Sequence, residues 1–153
     1  MYKSKLLFSL LIICFLFNFS LNLFSTEIKI SKKLYGFTID DSWRREVKIE
    51  DIIEGIKNLP EKPTVRIVMS KDIKAKDYVS LFKEIHKVAY VIAQPVDSFE
   101  MNKYKNVESY KKRFEDSYKY LKDYVDIWEI GNEVNGEEWI KENPKFTAKK
   151  IYS

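Results

Sequence analysis

Asn132 and Glu133 stand side by side at the end of a bulky stretch, in the run DIWEIGNEVNG from Asp126 to Gly136. Ile127, Trp128 and Ile130 give this run the pattern of a short buried strand, Val125 to Gly131. Gly131 then removes a side chain just before the two polar ones. A carboxyl able to give and take a proton, beside an amide able to hold a polar group, is thereby set at the carboxyl end of a strand. Parallel α/β folds bind their ligands at that end. Alternation along the strand puts Glu129 on the same face as Glu133 and deeper in. A buried carboxylate needs a partner, and Arg66, in TVRIVM, is the one available. For Glu129 and Arg66 a structural ion pair accounts for the residues at least as well as direct chemistry. Asn132 could alternatively serve the turn, because Asn tolerates left-handed backbone.

The elements that must position these residues alternate from Leu34 onward. Leu34 to Ile39 reads as a strand ending in Asp40-Asp41. Ile49, Ile52, Ile53, Ile56 and Leu59 recur at helical spacing, and Pro60 stops that helix. Thr64 to Met69 is a second strand. Asp77 is placed to cap a helix with Tyr78, Leu81, Phe82, Ile85 and Val88 on its apolar face. Ala89 to Ala93 is a third strand. Asn106 is placed to cap a third helix whose stripe runs Val107, Tyr110, Phe114, Tyr118, Leu121 and Val125 and packs on the sheet. The Trp128 stretch is the fourth strand, and Asn143-Pro144 opens a fourth helix. Strands alternating with helices predict right-handed crossovers and a parallel sheet, an α/β fold.

Composition narrows the function classes. The chain has 153 residues, room for one domain, with four Gly and four Pro, which argues against disorder and against a loop-rich disulfide scaffold. Its single Cys, Cys14, lies in the first apolar run, so the folded part has no thiol chemistry and no Cys-based metal site. The single His, His86, sits mid-helix beside Ile85 and reads as a partly exposed helix residue without a chemical role. From Glu27 onward 25 basic residues face 23 acidic ones. So mild a balance, without a basic block, gives no reason to expect nucleic acid as a partner. No Gly-rich phosphate turn follows any strand, which counts against nucleotides.

Lys3 and Lys5 precede an apolar run from Leu6 to Phe24, the layout of an export signal. The run is long for a signal and close to the ~20 residues that span a bilayer. Residues 1–26 are therefore a signal peptide or a membrane anchor, and residues 27–153 are expected outside the cytoplasm, touching a membrane only through that segment if it stays uncleaved.

Trp128-Glu129-Ile130-Gly131-Asn132-Glu133, with Trp139 soon after, resembles the fourth-strand motif of retaining (β/α)8-barrel glycoside hydrolases. The resemblance covers Leu34 to Ser153, the first four βα units of such a barrel. It implies that Glu133 is the general acid/base and that Asn132 hydrogen-bonds the sugar 2-hydroxyl. It implies that Arg66 on the second strand supports the carboxylates, and that Asp40, Asp41 and Trp43 line the substrate groove, although these last three serve equally well as loop structure. The implied substrate is an oligo- or polysaccharide, with no cofactor and no metal. The nucleophile of that family, a second Glu at the end of strand seven, falls beyond Ser153. A complete barrel takes roughly 250 residues, so the expectation is a truncated barrel, inactive alone and prone to self-association through its open edge strands. A half-barrel remnant that binds carbohydrate or serves a structural role is the alternative.

Overall fold

The computed structural model describes residues 35–40 and 48–153. The expected export segment, residues 1–26, and Asp41 and Trp43 lie outside the described residues. Four strands, β1 (Gly36–Asp40), β2 (Thr64–Val68), β3 (Tyr90–Gln94) and β4 (Ile127–Trp128), form one sheet in the order β1-β2-β3-β4. Every neighbouring pair is parallel. Between and after them come α1 (Ile49–Lys57), α2 (Val79–His86), α3 (Val107–Leu121), α4 (Glu137–Ile140) and α5 (Pro144–Ile151). The predicted α/β alternation is thus the observed one, as a four-stranded parallel sheet with helices.

Local chemistry explains the elements. The β-branched run of β2 suits a pleated, buried strand. Asn106 caps α3 by accepting a hydrogen bond from the Ser109 amide at 2.7 Å, and Asn143 caps α5 by accepting from the Lys145 amide at 2.9 Å, with Pro144 in the first turn. Val65, Ile67, Met69, Val91 and Ala93 face the helices and form a buried core with Ile56, Leu81, Phe82, Ile85 and Leu121. A second, smaller cluster joins Val96, Met101, Tyr104, Tyr110 and Ile140, with Phe114 and Trp139 against it.

Polar clamps hold the loops at the carboxyl edge of the sheet. Buried Arg113 of α3 donates to the carbonyls of Pro95 at 3.0 Å, Ile73 at 2.8 Å and Ser70 at 2.8 Å. It thereby joins the loops that follow β2 and β3. The buried ammonium of Lys150 in α5 donates to the Met101 carbonyl at 2.9 Å and to Glu142 at 2.5 Å. It fixes the 3-10 turn Ser98–Lys103 against the end of the chain.

Several local expectations change. Asp77 does not cap α2: it sits inside a 3-10 turn, Ala75–Tyr78, whose own backbone bond from the Asp77 amide to the Lys74 carbonyl (2.9 Å) starts the helical path. The α3 stripe stops at Leu121 and a 3-10 turn, Lys122–Tyr124, follows, so Val125 is no part of the helix. Tyr110 packs edge-on against Tyr104 in the second cluster rather than on the sheet. Tyr118 is 57% exposed, and its ring meets that of Trp128 at 5.7 Å between centroids. His86 does have a partner: its Nε2 lies 3.6 Å from Oδ2 of Asp126, far along the chain but adjacent in space. The same carboxylate oxygen accepts from the Val91 amide at 2.7 Å.

Candidate functional site

The face of the sheet turned away from the core carries Thr38, Arg66, Ile92 and Ile127 across the four strands in register. These side chains are half-buried or exposed. From the middle of β2, Arg66 reaches Glu129 just past β4. Its Nε donates to Oε2 at 2.5 Å and its Nη2 to Oε1 at 3.1 Å. The sequence expectation of an Arg66–Glu129 pair is therefore met by a two-pronged contact, each side chain 27% exposed. The hydrogen bonds to Glu129 raise the Arg66 pKa, and the charges of Glu129, Asp97 and Glu133 add to that against the cost of burial.

Arg66 also orients Asn132. Its Nη2 donates to Oδ1 of Asn132 at 3.0 Å, while Nδ2 of Asn132 donates to Oδ2 of Asp97 at 3.3 Å and faces Oγ of Ser98 at 3.5 Å. With a cation on one side and a carboxylate on the other, the amide has one preferred orientation. Ser98 Oγ in turn donates to Oε2 of Glu133 at 3.0 Å. Asp97 Oδ2 also accepts from Nε2 of Gln94 at 3.0 Å, and its Oδ1 caps the following turn by accepting from the Phe99 amide at 2.9 Å. Gln94 is wholly buried, and its Oε1 has no hydrogen-bond partner among the described residues.

The backbone around Glu133 differs from the strand end expected from the sequence. The ladder bonds that flank β4, Asp126 amide to Val91 carbonyl and Glu129 amide to Ala93 carbonyl, are both 2.9 Å. Beyond them the chain turns at Gly131, φ 79°, and again at Glu133, φ 44°. Strand alternation therefore ends before Glu133, and its direction comes from the turn. The left-handed residues are Gly131 and Glu133, not Asn132. A left-handed conformation is uncommon for a non-glycine residue and costs on the order of 1–3 kcal/mol. The Ser98 bond and the bond from the Gly136 amide to the Glu133 carbonyl, 2.8 Å, hold it. Glu133 itself is exposed.

Asp40 closes β1 opposite Val68, on the same carboxyl edge of the sheet. Asp41 and Trp43 lie outside the described residues. Sequence reasoning did not single out Gln94, Asp97 and Ser98. Their signal was positional, since the loop after β3 must lie beside the loop after its parallel neighbour β4. Next to them Phe99, 66% exposed, stacks on Trp139 with ring centroids 6.4 Å apart and planes at 26°.

The cluster combines a fixed amide, a cation shared by two partners and an exposed carboxyl held by a hydroxyl, a set suited to binding hydroxyl-rich molecules and moving a proton. No cluster of three or more His, Cys, Asp or Glu able to hold a metal ion occurs among the described residues. No helix among them is long and apolar enough to cross a membrane. Comparison with known proteins finds no matching family model, no matching curated protein and no matching solved structure.

Proposed function

We propose that this chain carries the proton-donating half of a retaining glycoside hydrolase of the (β/α)8-barrel type, acting on an oligo- or polysaccharide outside the cytoplasm. One observation carries the reading. At the carboxyl edge of a parallel sheet, Arg66 holds both Glu129 and Asn132, and Asn132 is followed directly by a Glu133 that Ser98 restrains. In this reading Glu133 protonates the departing glycosidic oxygen and then activates water. Asn132 keeps a lone pair on Oδ1 for the sugar 2-hydroxyl, a contact that strengthens in the transition state. Phe99 offers an exposed ring beside the site.

Retaining hydrolysis needs a second carboxylate about 5–5.5 Å from the first. Glu129 is committed to Arg66 by two bonds, and Asp97 to Gln94, Asn132 and the Phe99 amide. The proposal therefore assigns the attack to a carboxylate supplied by the opposite half of a complete barrel. The same commitment favours a second reading, a half-barrel that binds carbohydrate without turning it over.

The test joins this chain to the C-terminal half of a retaining barrel enzyme and follows single turnovers. Glu133→Gln is expected to slow hydrolysis of a natural glycoside by about 10²–10⁴-fold. Formation of the glycosyl-enzyme from an aryl glycoside with a good leaving group should suffer far less, and Asn132→Ala should slow both. Equal losses for Glu133→Gln on the two substrates would remove Glu133 as the acid. Saturable oligosaccharide binding by the chain alone, with a joined barrel that never turns over, would favour the second reading.

A further inference from the structure

The loop after β2 and one side of α3 border a cavity of about 410 Å³, open to solvent, whose lining includes four cations beside the apolar Ile73 and Ala75. Lys71, Lys74 and Lys76 come from the loop side, and Arg113, Asp116 and Tyr120 from α3. Arg113 is only 9% exposed, and its three hydrogen bonds all go to neutral carbonyls. Two of its five N–H donors remain. Among the described residues none of these four cations forms an ion pair with a carboxylate. The one acid in the lining, Asp116, is taken up by Lys112 at 2.8 Å. Asp72 and Asp77 share the loop but do not line the cavity, and Glu100, which accepts from the Lys71 amide, is paired with Lys103.

Four like charges around one cavity repel one another, and a largely buried guanidinium without a counter-charge adds to the cost. An anion in the cavity relieves both. Its volume falls within the range of small-molecule sites, roughly 300–1,000 Å³, which leaves space for more than a bare inorganic ion. Tyr120, 40% exposed, provides a ring wall, with the Lys119 ammonium 5.1 Å from its ring centroid. We propose that this cavity binds a sugar-sized molecule carrying a tetrahedral oxyanion, a phosphate or sulfate ester. The oxyanion sits among Arg113 and the three lysines, and the ring lies against Tyr120. None of these residues belongs to the Arg66–Glu133 cluster, so the inference stands independently of glycoside hydrolysis.

Isothermal titration calorimetry on the full chain tests it, with inorganic phosphate, inorganic sulfate, a hexose 6-phosphate and the neutral hexose, at an ionic strength held constant with sodium chloride. Saturable binding of both inorganic anions is expected, tighter for the hexose phosphate and undetectable for the neutral sugar. The double substitution Lys74→Glu with Lys76→Glu, at two exposed positions, should weaken anion binding at least about tenfold while leaving the circular dichroism spectrum unchanged. Tyr120→Ala should weaken the hexose phosphate and spare inorganic phosphate. Heats no different from a sodium chloride blank, or affinities unchanged by the lysine substitutions, would overturn the site. Equal affinities for phosphate and hexose phosphate would overturn the ring contact.

Discussion

The two faces of the same sheet are built from alternate residues of the same strands, yet they are finished to different degrees. On the helix side Val65 and Ile67 are 0% and 1% exposed, and Val91 and Ala93 are 0% exposed. Between them, on the other side, the Arg66 side chain keeps 27% of its exposure and Ile92 is only half-buried. Parallel sheets are normally covered on both faces. Here the helix face supplies the packing, and the other face holds a charged network at its carboxyl edge. Stability and candidate chemistry are thus separated by the period-two alternation of the strands. In the proposed barrel, an opposite wall would cover the second face.

The largest effect that would test this division is a cavity on the helix side. Phe82 is fully buried and meets Tyr78 edge-on at 6.1 Å between ring centroids. Phe82→Ala should destabilise by about 3–5 kcal/mol, read from urea unfolding. Ile92→Ala, on the open face, should cost less than about 1.5 kcal/mol, because the lost side chain was partly solvated already. Similar losses for the two would show that the open face is covered in solution.

The second cluster gives the next effect, and it depends on pH. Burial pushes the phenols of Tyr104 and Tyr110 from 10.0 up to about 12. Each is nearly inaccessible, and neither hydroxyl has a hydrogen-bond partner among the described residues. In the unfolded chain both would ionise near their ordinary value. The folded state therefore holds its full advantage below about pH 10 and loses it as pH rises towards 12, on the order of 2–3 kcal/mol per tyrosine. Phenolate absorbance followed alongside unfolding should show the two events together. Tyr104→Phe with Tyr110→Phe should flatten the alkaline loss. Persistence of that loss in the double variant would place its origin elsewhere.

The same alternation explains what was legible in the sequence. Strand identity and the Asn caps of α3 and α5 could be read because each rests on neighbours within a few residues. The Arg66–Glu129 pair could be read because a buried carboxylate on a strand demands a cation, and one strand offered it. Asp77 was misread as a cap because capping chemistry alone does not distinguish a helix start from a preceding 3-10 turn. Asp97 and Ser98 looked like ordinary loop residues, since what matters is their approach to Asn132 and Glu133 across the β3–β4 register. The left-handed backbone of Glu133 had no signal at all: Asn132 was the residue whose type tolerates it.

The smallest expected effect on stability lies in the network itself. Arg66→Ala leaves the Glu129 carboxylate without its two donors and releases the Asn132 amide. In a dry interior, removing one member of a charged pair costs several kcal/mol, but at this exposure water can replace the lost bonds in part. The expected loss is about 1–2 kcal/mol, below that of Phe82→Ala. Pairing Arg66→Met with Glu129→Leu should recover much of it, because no uncompensated charge then remains. The Asn132 amide, however, should stay mobile in the double variant, since nothing then donates to its Oδ1. Side-chain amide resonances of Asn132 would separate the two consequences. Recovery of stability without recovery of a single amide conformation is the expected result. A double variant that restores both would mean that Asp97 and Ser98 alone orient Asn132, and that Arg66 serves only the charge of Glu129.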